Sequence, residues 1–533
     1  MGWPTEKYAG IAIETHFDDR EIKVYQSRAR TIGELFTRTV ERYPGFLALK
    51  EGEKVYSYQE LSNEVNRLAS SLYYRWGIKK GDRIGIITDN CPEYCITLLA
   101  AAKIGAIAVP LNSRSSGDEL EYTINDSGAK ILVIDPSYLP VVDGIRGRIP
   151  SVQYFFLNTT SIDKNYLSWE DLTKAHGEGD PGVSVDEEDV AIIMYTSGTT
   201  GRPKGAMITH FNLCNNVISV SRTLETRAGD RTLIAVPLFH ITGTMFQFMH
   251  MMSIGGTVIL LRNFKTQAML DLLAQEKITF FIGVPTMYVL MMVNPRFREY
   301  DFSSLKIAAY GGAPMSESTI SQLFEHFQGL RLHNTYGATE TTGSCTMMPY
   351  QEAVVRSASI GLPFMVNDIK VMDEKGKEVP AGEVGELWIK GPNVVKGYWN
   401  NPQATASEFI DGFWRSGDLG RLDHDGFVYL MDRKKDMINR GGEKIFCVEV
   451  ENVICSYPKV QEAAVVGVPD EIFGEQVKAV IVPKPGEDIR EEEIKQFLKG
   501  KLADFKIPKH FVFVGELPRN PGGKVIKPLL VKL

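Results

Sequence analysis

Val190-Ala-Ile-Ile-Met-Tyr195, followed at once by Thr196-Ser-Gly-Thr-Thr-Gly-Arg-Pro-Lys204, is the stretch from which the fold can be read. A short apolar run bounded by turn residues has the signature of a buried strand, and what leaves it is a polar, glycine-rich loop. Gly198 and Gly201 allow backbone N–H groups to turn toward an anion with no Cβ in the way. Thr196, Ser197, Thr199 and Thr200 add hydroxyl donors, and Lys204 adds a mobile cation. The combination reads as a grip for nucleotide phosphates. Its spacing, Gly-x-x-Gly-x-x-Lys, is not the G-x-x-x-x-G-K-S/T of a P-loop, so kinase or GTPase machinery is not implied. A polar surface turn would use the same residues, and the choice rests on the rest of the chain.

Working outward, the flanks alternate between strand and helix. Ser57-Tyr-Gln-Glu60 is a capping-box pattern, and Leu61, Val65, Leu68 and Leu72 recur at helical spacing up to Gly77. Residues 83–88 read as a strand, 92–103 as a helix, 106–111 as a strand, 119–127 as a helix and 130–135 as a strand. After the loop the pattern returns: strand 233–237, a helix to Ser253, strand 257–261, helix 266–275, strand 279–282 and strand 306–310 leading into Gly311-Gly-Ala-Pro314. Such alternation predicts α/β architecture with largely parallel, buried strands. From about Val366 short strands and turn signals predict antiparallel hairpins or a small barrel. Beyond Lys435 a helix at 447–456, strands at 462–468 and 477–483 and a helix at 490–499 predict a small α+β module.

Length and composition set the bounds. The 533 residues, 44% hydrophobic, suffice for several cores. Lys and Arg total 59 against 66 Asp and Glu, a formal charge of -7 with no basic block, which argues against a nucleic-acid partner. The six cysteines have no paired CxxC spacing and read as free, mostly buried thiols in a reducing compartment. No basic-then-apolar segment opens the chain, so a cytoplasmic location is expected. The most apolar window, 244–261, is interrupted by Gln247, His250, Gly255 and Gly256 and reads as helix, turn and strand, not a span. Peripheral membrane contact stays open, because hydrophobic substrates partition into bilayers.

Four further motifs follow the loop in order: Thr335-Tyr-Gly-Ala-Thr-Glu340, Trp414-Arg-Ser-Gly-Asp418, Asp432-Arg-Lys-Lys-Asp436 and Pro518-Arg-Asn-Pro-Gly-Gly-Lys524. Together the five resemble the adenylate-forming superfamily of acyl-CoA synthetases, luciferases and carrier-protein adenylation domains, over roughly residues 30 to 530. The resemblance implies a large N-terminal adenylation domain at 1–431, made of two α/β sheet subdomains and a small antiparallel β-barrel-like one. It also implies a hinge at 432–436 and a small mobile α+β lid at 437–533.

It implies a chemistry as well: a carboxylate attacks the α-phosphate of ATP, pyrophosphate leaves, and coenzyme A then displaces AMP. Charge spreads over phosphate oxygens, so fixed cations and donors dominate. Carried over residue by residue, Thr196 to Gly201 and Lys204 hold the β and γ phosphates. Glu340 takes Mg²⁺, a hard cation that prefers carboxylate oxygen, and Thr339 donates to the α-phosphate. Tyr336 stacks on adenine, Gly337 allows close approach of a ligand, and Thr335 belongs to the same segment. Gly311, Gly312, Ala313 and Pro314 line adenine on one side and the acyl group on the other. Asp418 accepts the ribose hydroxyls and Arg433 is a second ribose or phosphate contact. Lys524 is the catalytic lysine, bridging the incoming carboxylate and the α-phosphate. Lys435 falls at the hinge. Rotation there withdraws Lys524 and brings Gly441, Gly442, Glu443 and Lys444 to a pantetheine channel.

Each of these residues also has a plainer reading as a helix-start charge, a core tyrosine, a turn glycine or a solvated lysine. Residues 237–244, 284–288 and 311–313 are mostly apolar or small, with no cation for a second carboxylate. That favours a hydrophobic monocarboxylate: fatty, aromatic or alicyclic. His240 matches a position beside the reacting carboxylate and equally suits a buried, hydrogen-bonded role. The methionines at 245, 249, 251, 252, 287, 291 and 292 read as core packing more than pocket wall. The expected activity is an ATP-dependent, Mg²⁺-requiring acid:CoA ligase. The alternatives are an enzyme that loads a separate carrier protein, a luciferase-like oxidase, or a non-catalytic binder of nucleotide or acyl-CoA.

Overall fold

The computed structural model describes residues 2–17, 19–159, 164–174, 179–196, 202–519 and 525–533. Two α/β sheets form the body. The six-stranded one runs Lys204–Thr209, Val190–Thr196, Ile107–Pro110, Arg83–Ile87, Ile131–Ile134 and Tyr154–Leu157. Its strands are parallel except Lys204–Thr209, which returns antiparallel beside Val190–Thr196 with Lys204 opposite Thr196. The two strands that flank the glycine-rich stretch in sequence are therefore hydrogen-bonded neighbours at one edge of this sheet. The nine-stranded sheet is parallel through Arg331–Ala338, Ile307–Gly311, Phe280–Gly283, Arg231–Ile234, Thr257–Leu260 and Leu47–Glu51, with antiparallel strands at its ends.

Local sequence accounts for the elements. Ser57 accepts the Glu60 N–H at 3.2 Å while the Glu60 carboxylate accepts the Ser57 N–H at 2.8 Å, the reciprocal cap expected for helix Tyr58–Ser70. Helix Pro92–Lys103 begins on proline, where a missing N–H costs nothing. It is buried on nearly every side because it is apolar all round. Strand Arg231–Ile234 ends earlier than the apolar pattern to Pro237 suggests. Beyond it the buried Asn90 side chain takes over the backbone, donating to the Val236 carbonyl at 3.0 Å and accepting the Leu238 N–H at 2.8 Å. The apolar window at 244–261 is helix, then Gly255 at φ +77°, then strand, and among the described residues no helix is long and apolar enough to cross a membrane. Met245, Met249, Met251, Met252, Met287 and Met291 lie in the main core, which is continuous between the two sheets. Five of the six cysteines are buried, and all are free.

The antiparallel module has five strands, Asp368–Met372, Gly385–Lys390, Phe413–Leu422, Phe409–Ile410 and Val428–Arg433. The C-terminal module has its own sheet with separate cores on its two faces. Val477, Ala479 and Ile481 pack against Val450, Ile454, Ile494 and Leu498, while Val480 and Val482 pack with Leu517 and Leu530. That is the alternation of a strand covered on both sides.

Gly337 sits in a bulge between Arg331–Ala338 and Gly343–Met347, where an added Cβ would lie 1.8 Å from the Gly343 carbonyl oxygen. The glycine is thus demanded by the chain's own backbone, a reason that stands beside the expectation that it makes room for a ligand. Gly337→Ala is expected to open this bulge at a cost of about 2 kcal/mol or more, read as a lowered thermal transition.

The N-terminal hairpin, Ile11–His16 with Arg20–Tyr25, is clasped to the segment just before Val190. Arg28, its side chain fully buried, contacts Glu14 and donates to Glu187 at 3.1 Å, while His16 lies 2.9 Å from Glu188. Glu14, His16 and Glu187 present ligand-type atoms within 4.8 Å of one another, but the Arg28 guanidinium already supplies the positive charge. The hydrogen bond from Arg28 pulls the Glu14 carboxyl from 4.5 to about 2 against the opposing effect of burial. A depressed carboxyl stabilises the fold fully above pH 4.5 and loses that contribution as the pH falls toward 2. Arg28→Met should destabilise the native state by about 3–5 kcal/mol near neutral pH. The gap from wild type, followed by chemical denaturation, should narrow below pH 4.5.

Candidate functional site

Strand Arg331–Ala338 runs into a single 3-10 turn, Thr339–Thr341, that carries Glu340. Thr342 closes the turn at φ +51°. Side-chain amides pin it there: Asn393 donates to the Thr341 carbonyl at 2.9 Å and Asn216 to the Thr342 carbonyl at 2.8 Å. The Thr342 hydroxyl donates to the Asn393 carbonyl at 2.7 Å, and the Val395 N–H to the Glu340 carbonyl at 2.9 Å. The Glu340 backbone is therefore rigid, and its carboxyl is buried.

That carboxyl faces the Tyr398 hydroxyl at 2.9 Å, and the same hydroxyl lies 2.6 Å from Glu408. One phenolic proton cannot serve two carboxylates, so the trio is short of a donor. Burial raises the Glu340 pKa, and Glu408 nearby pushes the same way. Lys204 completes the group: its ammonium is 2.5 Å from Glu408 and 4.4 Å from the centre of the Tyr398 ring. Lys204, at the start of the returning strand, and the acidic turn are thus linked through Tyr398 and Glu408. Both linking residues were missed in the sequence. The signal lies in Gly397-Tyr-Trp-Asn-Asn-Pro402, an aromatic pair between turn residues, with Glu408 ending helix Pro402–Glu408.

Tyr336, on the same strand, donates to Asp418 at 2.6 Å. Asp418 is buried on Phe413–Leu422 directly opposite Arg433, whose guanidinium is 3.3 Å from the other carboxylate oxygen. Burial raises the Tyr336 pKa, and the neighbouring Asp418 charge adds to it, so the phenol stays protonated. Strand Arg331–Ala338 and its turn therefore connect two carboxylate centres, Asp418 and Glu340, from two different sheets. Thr335 turns inward, donating to Ser344 at 2.6 Å.

Gly311 ends its strand where a Cβ would meet the Thr335 carbonyl oxygen at 2.5 Å. Gly312, at φ +77°, then turns the chain out, and Ala313 and Pro314 are exposed. His240 is half-buried at the turn before Thr242–Met249, its Nδ1 accepting the Thr242 N–H at 3.4 Å. Lys435 is exposed between the antiparallel and C-terminal sheets. Gly441 and Gly442, at φ +62° and +96°, and the exposed Glu443 form the tip of a C-terminal hairpin. From it Lys444 reaches Glu374 of the antiparallel module at 3.3 Å. Ser197, Gly198, Thr199, Thr200, Gly201 and Lys524 lie outside the described residues.

Comparison with known proteins gives the family. Residues 36–399 match the AMP-binding enzyme family and residues 449–524 the AMP-binding enzyme C-terminal domain. A feruloyl-CoA synthase of Amycolatopsis sp is 38% identical over 94% of this chain and 98% of that enzyme. An indoleacetate–CoA ligase of Aromatoleum aromaticum is 35% identical over 91% of this chain and 94% of its own length. The crystal structure of the anthranilate CoA ligase AuaEII in complex with anthranoyl-AMP superposes with a TM-score of 0.88 at 27% identity, covering 94% of this chain and 96% of that one. With its ordered motifs, its large α/β body and its separate C-terminal module, the chain belongs to the AMP-binding, adenylate-forming enzymes.

Proposed function

We propose that this protein is an ATP-dependent, AMP-forming acid:CoA ligase acting on a hydrophobic monocarboxylate. The observation that carries the reading is the link Asp418–Tyr336–Glu340–Tyr398–Lys204, which sets a ribose-type acceptor and a phosphate-type cation at two ends of one rigid strand and turn. In the first half-reaction the acid's carboxylate oxygen attacks the α-phosphorus of ATP and pyrophosphate leaves. In the second, the CoA sulfur attacks the acyl carbon and AMP leaves. Asp418 holds the ribose hydroxyls, with Arg433 beside it, and the Tyr336 ring lies along adenine. Lys204 exchanges Glu408 for phosphate oxygens. Thr339 donates to the α-phosphate, and Gly312 to Pro314 separate the adenine and acyl sides. Lys524 brings an ammonium to the carboxylate and α-phosphate as they approach.

Glu340 and its surroundings fit Mg²⁺: a buried carboxyl, a hard oxygen donor and a shortage of positive partners around Tyr398. Bound there, the ion would neutralise phosphate charge. Domain 1–431 holds both substrates, 432–436 is the hinge and 437–533 the lid that exchanges Lys524 for Gly441 to Lys444. The all-free cysteines suit a reducing cytoplasm. Relatives named for ferulate and indoleacetate favour an aromatic acid within the hydrophobic class.

The test is acid-dependent exchange of pyrophosphate into ATP without CoA, over a panel from acetate through octanoate and palmitate to benzoate, cinnamates and cyclohexanecarboxylate. Exchange with hydrophobic acids, and thioester once CoA is added, is expected; phosphate release as ADP is formed would overturn the reading. Lys524→Ala should abolish exchange while thioester formation from supplied acyl-adenylate persists. Lys435→Pro should impair the thioester step more than exchange, and an unchanged ratio would remove the hinge from residue 435.

A further inference from the structure

Away from Glu340 and Asp418, a cluster of ionisable groups lies largely buried at the base of the C-terminal module. The Lys527 ammonium lies 3.1 Å from Glu451, their side chains 21% and 16% exposed. Glu451 belongs to helix Cys447–Cys455 and also accepts the Val465 N–H at 2.8 Å, so its carboxylate is fixed by the strand beside it. Asp432, buried, accepts the N–H groups of Arg433 at 2.7 Å and of Cys447. The Cys447 thiol donates to the Asp436 carbonyl at 3.0 Å. Burial works against the Lys527 charge, but Glu451, Cys447, Asp432 and Asp436 outweigh it and raise the ammonium's pKa above the ordinary value. Burial raises the carboxyls of Glu451 and Asp432, and Lys527 opposes both shifts. The cluster joins the segment 432–436, the first helix of the module and the chain's last helix, Lys527–Val531.

A lysine with most of its side chain buried is costly unless paired, and an apolar residue would pack the same place more cheaply. Its sequence position supplies a reason for it. Lys527 stands three residues after Lys524, at the end of a stretch drawn together at its base. Arg519 bridges to Val525, and the Ile526 N–H donates to the Pro518 carbonyl at 2.8 Å. Arg519 is itself paired with Glu462. Lys527 is the inner anchor of that stretch, and its counter-charges sit on the first helix and the hinge.

We infer that Lys527, through Glu451, is a positioning residue for adenylation: it fixes the chain that carries Lys524 to the helix and hinge that orient the module. The inference rests on the proposed role of Lys524. Losing the anchor then harms the half-reaction that needs an ammonium delivered to within a fraction of an ångström, and spares the half that does not.

The experiment uses the full chain and its best acid from the panel. Pyrophosphate exchange and thioester formation from prepared acyl-adenylate are measured for wild type, Lys527→Met, Lys527→Arg and Lys524→Ala. Lys527→Met should cut exchange by roughly 10- to 100-fold, leave the thioester half within about threefold, and be largely restored in Lys527→Arg. Should Lys527→Met prove insoluble, Glu451→Gln removes the counter-charge at nearly constant volume and should show the same split. Equal loss in both halves, or no loss, overturns the anchor while a selective Lys524→Ala defect keeps the reading of Lys524. An unaffected Lys524→Ala enzyme overturns both.

Discussion

Around Tyr398 two carboxyls compete for one phenolic proton, and among the described residues the full positive charge in contact is Lys204, already paired with Glu408. Burying acidic groups with too few donors is unfavourable unless something else enters to satisfy them. In the proposed reading the missing partners are those that a metal-bound polyphosphate brings: a cation for the carboxyl and anions for the lysine. The deficit defines what the site is prepared to receive, and the amide contacts of Asn216 and Asn393 keep the turn from relaxing to relieve it.

The architecture delivers this arrangement by giving each partner a different support. Lys204 opens an antiparallel strand at the edge of the six-stranded sheet, Glu340 follows a strand of the nine-stranded sheet, and Asp418 belongs to the antiparallel module. Helix His210–Leu224 ties them together, since Asn212 caps it at Thr209 and also donates to the Pro392 and Val394 carbonyls at 2.7 and 3.0 Å. The C-terminal module, by contrast, has cores of its own. A unit with independent cores can change orientation without unpacking the body, which is what two successive chemistries in one cleft require.

Much of the fold was legible because periodicity and caps carried it. Helices at 92–103 and 266–275 have the bounds their patterns predict, for Pro92 starts the first and a single apolar face marks the second. The strands at 47–51 and 54–57, which extend the nine-stranded sheet, were not, because the first joins the sheet by long-range pairing with Thr257–Leu260 and the exposed edge strand has no strong alternation. In the site, Asp418, Tyr336, Glu340 and Lys204 were visible as motif residues. Tyr398 and Glu408 were not, because their part is to pair with those residues across some 60 to 200 positions of sequence, a relation that no local spacing records. Gly337 adds a reason that the motif did not show: the neighbouring backbone by itself already demands a glycine there.

The central claim is that the acid is activated by forming a bond from its own oxygen to the α-phosphorus of ATP. Its most direct test is transfer of oxygen-18 from a doubly labelled carboxylic acid during turnover with ATP and CoA, read by mass spectrometry of the nucleotide and phosphate products. The account predicts one labelled oxygen in AMP for each thioester formed and none in pyrophosphate. Label in inorganic phosphate alongside ADP, or unlabelled AMP, would contradict it.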